Sequence, residues 1–484
     1  MDSSNLEKFV LNNSSRLLSC IDRRPNSRTF GCSDRNYWHY KIVDFPCAML
    51  QETSLTLALL YSIDFNNNNF YKSHQIKEIA LSQLEYWKII QNKNGSFDEF
   101  YPNEQSFSAT AFTLYSSCYT MQLLKNNSKE FYDTSKKACD FLINYGDPGA
   151  SNQVAAAIAA INIFSELYSD DSFDTQLIIM LDKLMESQSN EGWTPEYGGF
   201  DVGYQSITLS YLSDYCRRKP NQNLSSKLLN MISFLSYFIH PDGSVGGDYG
   251  SRNTSFLVPF GFAFYSDNSE DAAAVISKVF LDKNSNLNHS IDDRYVCHFI
   301  LPSYLKTIEY LKGKDFVDND LPYQISFSKK FNDSGFWIES NKNCYFICSI
   351  KKQGVFKLFS KSGQGVISDL GYIAISKNEI ALTNWINQQV DDIELNKNSL
   401  IIKGSFFTVS NKVPNSFYHF MLRIASFFFG RRLLPILKSY FINRNKKLKA
   451  ALTRKLIFDE STLLVSDEIS FKSTYDLNLF TNEN

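Results

Sequence analysis

The period of the apolar residues changes once along this chain, and that change constrains the fold more than any single motif. From about residue 47 to 315 one theme recurs: an apolar stretch of helical period, a polar loop with Gly, Asn, Asp or Pro, then another helical stretch. It is carried by 50–63, 73–91, 107–124, 130–144, 152–167, 174–188, 205–216, 224–238, 271–280 and 298–312. Paired helices of this kind cannot bury both apolar faces alone and must close on their neighbours, which predicts an α/α toroid or solenoid. After about 320 the period becomes alternating, at 344–350, 354–359, 371–375, 399–409 and 455–465, which predicts an antiparallel β-sandwich. The chain is therefore read as α+β and multidomain, with helical repeats over 1–320 and a sandwich over 321–484. A length of 484 residues, too great for one ordinary core, agrees with that division.

Residues 418–455 interrupt the alternating part. Phe, Leu and Ile are interleaved there with Arg423, Arg431, Arg432, Lys438, Arg444, Lys446, Lys447, Lys449, Arg454 and Lys455, with no acidic residue. This basic amphipathic insertion is expected either to lie on an anionic membrane surface, to cradle an acidic polysaccharide, or to pack its apolar side on the sandwich with its basic side solvated. The net charge of −2 gives no global field toward nucleic acid. Nine cysteines without CxxC spacing predict reduced thiols and no zinc ribbon, and neither a metal nor a cofactor is expected. The opening MDSSNLE lacks a basic start followed by an apolar run, and no stretch of about eighteen uncharged apolar residues occurs. A cytoplasmic location, peripheral to the inner membrane face, is the expectation.

The polar residues suited to chemistry fall in a few loops. Residues 193–205 hold Glu196, Tyr197, Asp201 and Tyr204 among glycines, where a loop opens a helix. Asp201 there suits either a site or an N-cap. Residues 246–254 (GGDYGSRNT) hold Tyr249, Arg252 and Asn253, with His240 just upstream. Arg can grip a carboxylate with two hydrogen bonds, and His or Tyr can move protons. Asn152 and Gln153 enter the Ala-rich helix 154–160. Arg35, Trp38 and His39 within 34–46, and Glu99 and Glu104 within 98–106, add stacking and charged groups that either bind sugar or tie the helices closed. Glycine-bearing loops at 91–97, 188–193 and 240–245 follow three helices, where a left-handed cap is cheap.

In its layout, and in Asn152-Gln153 followed about fifty residues later by Tyr204, the chain resembles the heparinase II/III-like polysaccharide lyases and the related alginate lyases. In that family an Asn-His pair opens one helix of an incomplete toroid and a catalytic Tyr follows, with a β-sandwich behind. The resemblance implies β-elimination on a uronic-acid polysaccharide: Asn152 neutralises the carboxylate, Tyr204 acts as base, acid or both, and Arg252 favours the phenolate. Gln153, Glu196, Asp201, Tyr249, Asn253, Arg35, Trp38, His39, Glu99 and Glu104 would contact the sugar. Two positions depart from the family. Gln153 stands in place of its His, and of a His-x-His-x-Asp stretch only Asp369 remains, in Gly365-Val366-Ile367-Ser368-Asp369. His240 would substitute as a catalytic residue; otherwise the protein binds or assembles glycan in cell-surface polysaccharide metabolism without cutting it. The QxxxGxW-like loops also resemble those of terpene cyclase and prenyltransferase-type toroids, but no Asp-x-Asp-Asp motif accompanies them.

Overall fold

The computed structural model describes residues 3–146, 148–315, 319–362, 365–375, 380–384, 390–409, 413, 415–433, 436–437, 446–459, 462–471 and 476–483. Its helical part contains α1 (Ser4–Cys20), α2 (Arg35–Trp38), α3 (Thr53–Ser62), α4 (His74–Ile89), α5 (Phe107–Leu124), α6 (Lys129–Ile143) and α7 (Ser151–Tyr168). It continues with α8 (Asp174–Glu186), α9 (Val202–Arg218), α10 (Gln222–Ser236), α11 (Phe260–Tyr265), α12 (Glu270–Val275), α13 (Asp293–Tyr295) and α14 (Leu301–Leu311).

The helices α3, α5, α7, α9, α11 and α14 pack each on the next, and α14 returns to α3. Outside them α4, α6, α8, α10, α12 and α1 cover α3, α5, α7, α9, α11 and α14 respectively. Because the chain alternates between the two sets through short loops, the inner helices run in one sense and their N-termini gather at one rim. Flanked on several sides, α5 and α7 are buried nearly all round. Their composition suits this: alanines 155–157, 159 and 160 allow close approach, and the hydroxyls of Thr110, Thr113 and Thr120 donate to carbonyls four residues back.

Of the helices α1–α14, α1, α2, α11 and α13 fall outside the periodic stretches. In α1 the apolar face of Leu6, Phe9, Val10 and Leu17 is diluted by Asn and Ser; Phe9 stacks on Tyr304 of α14 at 4.4 Å, which covers the last inner helix. The six-residue α11 is too short to show a full helical period.

Eleven strands follow among the described residues: β1 (Phe327–Phe331), β2 (Phe336–Ser340), β3 (Cys344–Ser349), β4 (Val355–Ser360), β5 (Val366–Ile375), β6 (Ile380–Leu382), β7 (Asp392–Leu395), β8 (Ser399–Val409), β9 (Lys446–Asp459), β10 (Thr462–Phe471) and β11 (Asp476–Glu483). They form one antiparallel sheet in the order β1-β2-β3-β4-β5-β6-β8-β9-β10, with β11 on β5 and β7 on β8. The predicted strand at 455–465 is instead the two arms of the β9–β10 hairpin.

Residues on β3 alternate between two cores. Tyr345 and Ile347 join the helical core, whereas Phe346 and Cys348 pack with Leu400, Ile402, Leu456 and Phe458. Phe346 stacks on Phe458 at 5.4 Å although β3 and β9 are far apart in strand order, so the sheet folds back over itself.

The basic insertion is divided by the structure. Its first part is α15 (Ser416–Phe429), and from Lys446 onward it is β9. Arg454, counted above among the basic residues, is fully buried and holds Asp369 through two bonds of 3.0 Å and Asp467 through bonds of 2.9 and 2.7 Å. The Asp369 that matched the family stretch is thus taken up by a buried ion pair. Lys438, Arg444 and the side chain of Lys449 lie outside the described residues. No described helix is long and apolar enough to cross a membrane. All nine cysteines are free thiols, buried or half-buried.

Candidate functional site

At the rim, the loop before α9 is stitched to the start of α7. Ala150 and Glu196 form an isolated β-bridge, and Ser151 donates from Oγ to the Pro195 carbonyl at 2.8 Å. Asn152 then donates to the Glu196 carboxyl from its backbone N (2.8 Å) and from Nδ2 (2.7 Å). Glu196 is wholly buried, and that burial pushes its carboxyl up to about 8 against the opposing bonds from Asn152. Beside it Gln153 Nε2 donates to the Tyr197 hydroxyl at 3.2 Å, and the Arg252 guanidinium lies 5.1 Å from the Tyr197 ring.

Asp201 is the N-cap of α9 and a fastener between loops. Its carboxylate accepts from the backbone N of Tyr204 (3.2 Å), Arg252 (3.0 Å) and Thr254 (3.3 Å), and from the Thr254 hydroxyl. This brings Arg252 beside the first turn of α9, where Tyr204 is half-buried and its hydroxyl sits 3.4 Å from that of Tyr295. Burial, then the Tyr295 hydroxyl, holds the Tyr204 phenol far above its ordinary range, and Arg252 opposes them. At rest Tyr204 is therefore a neutral phenol.

Tyr295 ends α13, which runs on through a π-helical turn (Val296–Ile300) into α14, and Arg294 next to it pairs with Glu99. Glu104 accepts from the backbone N of Glu99 (2.9 Å) and Phe100 (2.7 Å); burial and the Glu99 charge push its carboxyl up to about 7. From between β8 and β9, Arg431 reaches the same rim, donating to the Asn144 carbonyl at 3.3 Å and lying 5.5 Å from the Tyr145 ring. Tyr295, Arg294 and Arg431 were not singled out from the sequence as site residues. Their only local signal is the Asp292 N-cap ahead of Arg294 and Tyr295 and the basic run around Arg431.

The other candidates sit differently. His240 is fully buried, with Nδ1 2.7 Å from Ser244 Oγ, Nε2 2.7 Å from the Tyr249 hydroxyl, and its ring stacked on Phe359 of β4 at 4.3 Å. Burial and the Lys357 charge keep it well below its usual value, hence neutral. With both nitrogens engaged and no exposed surface, His240 and the buried Tyr249 tie a loop to the sheet and offer no atom to a sugar; Asp201, also wholly buried, is likewise committed as a cap. Asn253 is exposed in left-handed conformation and accepts from Lys352 Nζ at 2.6 Å. In α2, Trp38 Nε1 donates to the Cys20 carbonyl at 2.7 Å and its ring lies 5.2 Å from the Arg24 guanidinium. Arg35 lies 5.3 Å from the Tyr40 ring, and His39 is exposed. The structure thus gathers Asn152, Gln153, Glu196, Tyr204, Arg252, Glu99 and Glu104 at the rim and leaves Arg35, Trp38 and His39 beside the C-terminus of α1.

No family profile matches the chain, and no curated protein matches it in sequence. Solved structures do match. Paenibacillus xanthan lyase superposes with a TM-score of 0.58 at 10% identity, over 98% of this chain and 46% of that one. Streptomyces coelicolor chondroitin AC lyase, solved with chondroitin sulphate, superposes with a TM-score of 0.54 at 7% identity, over 84% of this chain and 67% of the other. This chain spans about half the length of the xanthan lyase. Its arrangement of helices and antiparallel sheet is the fold found in these polysaccharide lyases.

Proposed function

We propose that the protein acts on a uronic-acid-containing polysaccharide by β-elimination, with its circuit of helices serving as the α/α toroid and the folded-over sheet as the sandwich of such an enzyme. The observation that carries this reading is the Tyr204–Tyr295 hydroxyl pair at the rim, with Arg252 and Arg294 beside it and Asn152 fixed on a buried, proton-retaining Glu196. Elimination needs the uronate carboxylate neutralised so that the C5 proton becomes acidic. Asn152, backed by Glu196, and Arg252 supply that neutralisation. Tyr204 takes the C5 proton, the C4–O bond breaks with its electron pair leaving on oxygen, a C4–C5 double bond forms, and the phenol returns its proton to the departing oxygen. Substrate binding must bring Tyr204 down from its resting value, a task for the two guanidinium groups once water is displaced.

A second reading, a glycan-binding or assembly protein of cell-surface polysaccharide metabolism, is favoured by Gln153, which cannot transfer a proton, and by the withdrawal of His240 from the surface. The test is a panel of uronate polysaccharides followed by the ultraviolet absorbance of the new double bond, alongside binding measurements. Absorbance growth that is lost in Asn152→Ala supports elimination. Binding across a silent panel supports the second reading.

A further inference from the structure

The helix α15 is amphipathic in the reverse of the usual sense. Its protein side carries Arg423, half-buried, and Ser426, buried, whereas Phe417, Phe420, Phe427 and Phe428 are 65, 61, 72 and 74% exposed. These positions, with Met421 and Ile424, recur at helical spacing and form one outward apolar stripe. Lone exposed apolar residues are ordinary, but a contiguous stripe of this size on one helix marks a surface that is covered in use. The helix is pinned from its polar side: Arg423 Nη2 holds Asp44 Oδ1 at 2.8 Å and the guanidinium lies 5.4 Å from the Phe45 ring. That contact joins α15 to a second exposed segment, where Tyr40 and Ile42 are 55 and 72% exposed beside Lys41.

The charge around the stripe identifies the occupant. Between residues 416 and 458 there is no acidic side chain, and Arg432 is exposed just beyond the helix. A second copy of the chain docked face to face would set like charges against like. An anionic bilayer presents the complementary sign and an apolar interior for the phenylalanines. Fourteen residues are too few to span it, so the helix lies in the interface plane. We infer that α15, with the 40–43 segment, is a membrane-docking surface for anionic lipid, independent of what the rim does chemically.

The full-length protein is to be sedimented with vesicles of phosphatidylcholine alone or with a third phosphatidylglycerol. Binding to the anionic vesicles, weakened by added salt and reduced at least tenfold by Phe420→Glu/Phe427→Glu, is the expected result. Because both side chains face solvent, an unchanged thermal midpoint checks that the variant folds, and Phe427→Trp gives a second readout through a blue-shifted emission on adding anionic vesicles. Equal binding to both vesicle types, or none with no emission shift, overturns the inference. So does a concentration-dependent dimer in sedimentation velocity that the same double variant dissolves without any vesicle binding.

Discussion

Glu196 is the residue whose environment makes the sharpest demand. Its folded value of about 8 lies above the ordinary 4.5, so the folded state holds a proton that the unfolded chain releases. The stabilisation is fully present below about 4.5 and is lost as pH rises through about 8. Denaturant midpoints across pH 5–9 are therefore expected to fall toward alkali in the wild type, and Glu196→Gln is expected to flatten that slope. If Glu196 backs the neutralising amide, the same variant also removes an alkaline limb near 8 from kcat/KM. His240 tests the opposite role. Truncation to Ala strands the buried Tyr249 hydroxyl and opens a void against Phe359, an expected cost of about 2–4 kcal/mol in chemical denaturation. The sequence shows a His near a glycine-rich loop, which suits a catalytic or a structural residue equally. What decides between them is Phe359, a ring supplied by β4 from the other half of the chain.

At the level of elements, the helices with a clear apolar period were legible, because inner helices packed on several sides keep their stripes. Asn152 and Tyr204 are related in the sequence only through the family resemblance; in the structure each opens an inner helix, and like ends of neighbouring inner helices meet at one rim. Tyr295 could not be related: it stands in the first turn of a helix that continues through a π-helical turn into α14, but it is 91 residues from Tyr204 and precedes the periodic stretch read at 298–312. Strand alternation is legible in the sequence, whereas the hairpin joining β9 to β10 and the inward turn of Arg454 between Asp369 and Asp467 are not. Removing one side of a buried ion network leaves uncompensated charge, so Arg454→Met is expected to cost about 3–5 kcal/mol. The loss should appear in denaturant unfolding of the whole chain, because β3 shares its two faces between the sheet core and the helical core. Melting of the sheet signal alone would show that the two cores unfold separately.

For the whole molecule, the circuit of helices and the sheet meet through one apolar core that includes Phe331, Phe336 and Tyr345 of the strands. The change of period near residue 320 marks a change of architecture, whereas the packing crosses it. That continuity fixes the rim: His240 and Lys352 clamp its loops to the sheet, and Asp201 and Glu196 lock those loops to α9 and α7. A rim held this way fixes Tyr204, Tyr295 and Arg252 relative to one another, as the proposed elimination requires. The measurement that bears most directly on this account is Tyr204→Phe on whichever uronate polysaccharide the wild type cleaves, with ultraviolet turnover and glycan Kd measured on the same preparation. Turnover down by at least about a hundredfold with Kd unchanged is the expected result for the proton-transferring residue; turnover that persists in the variant would contradict it.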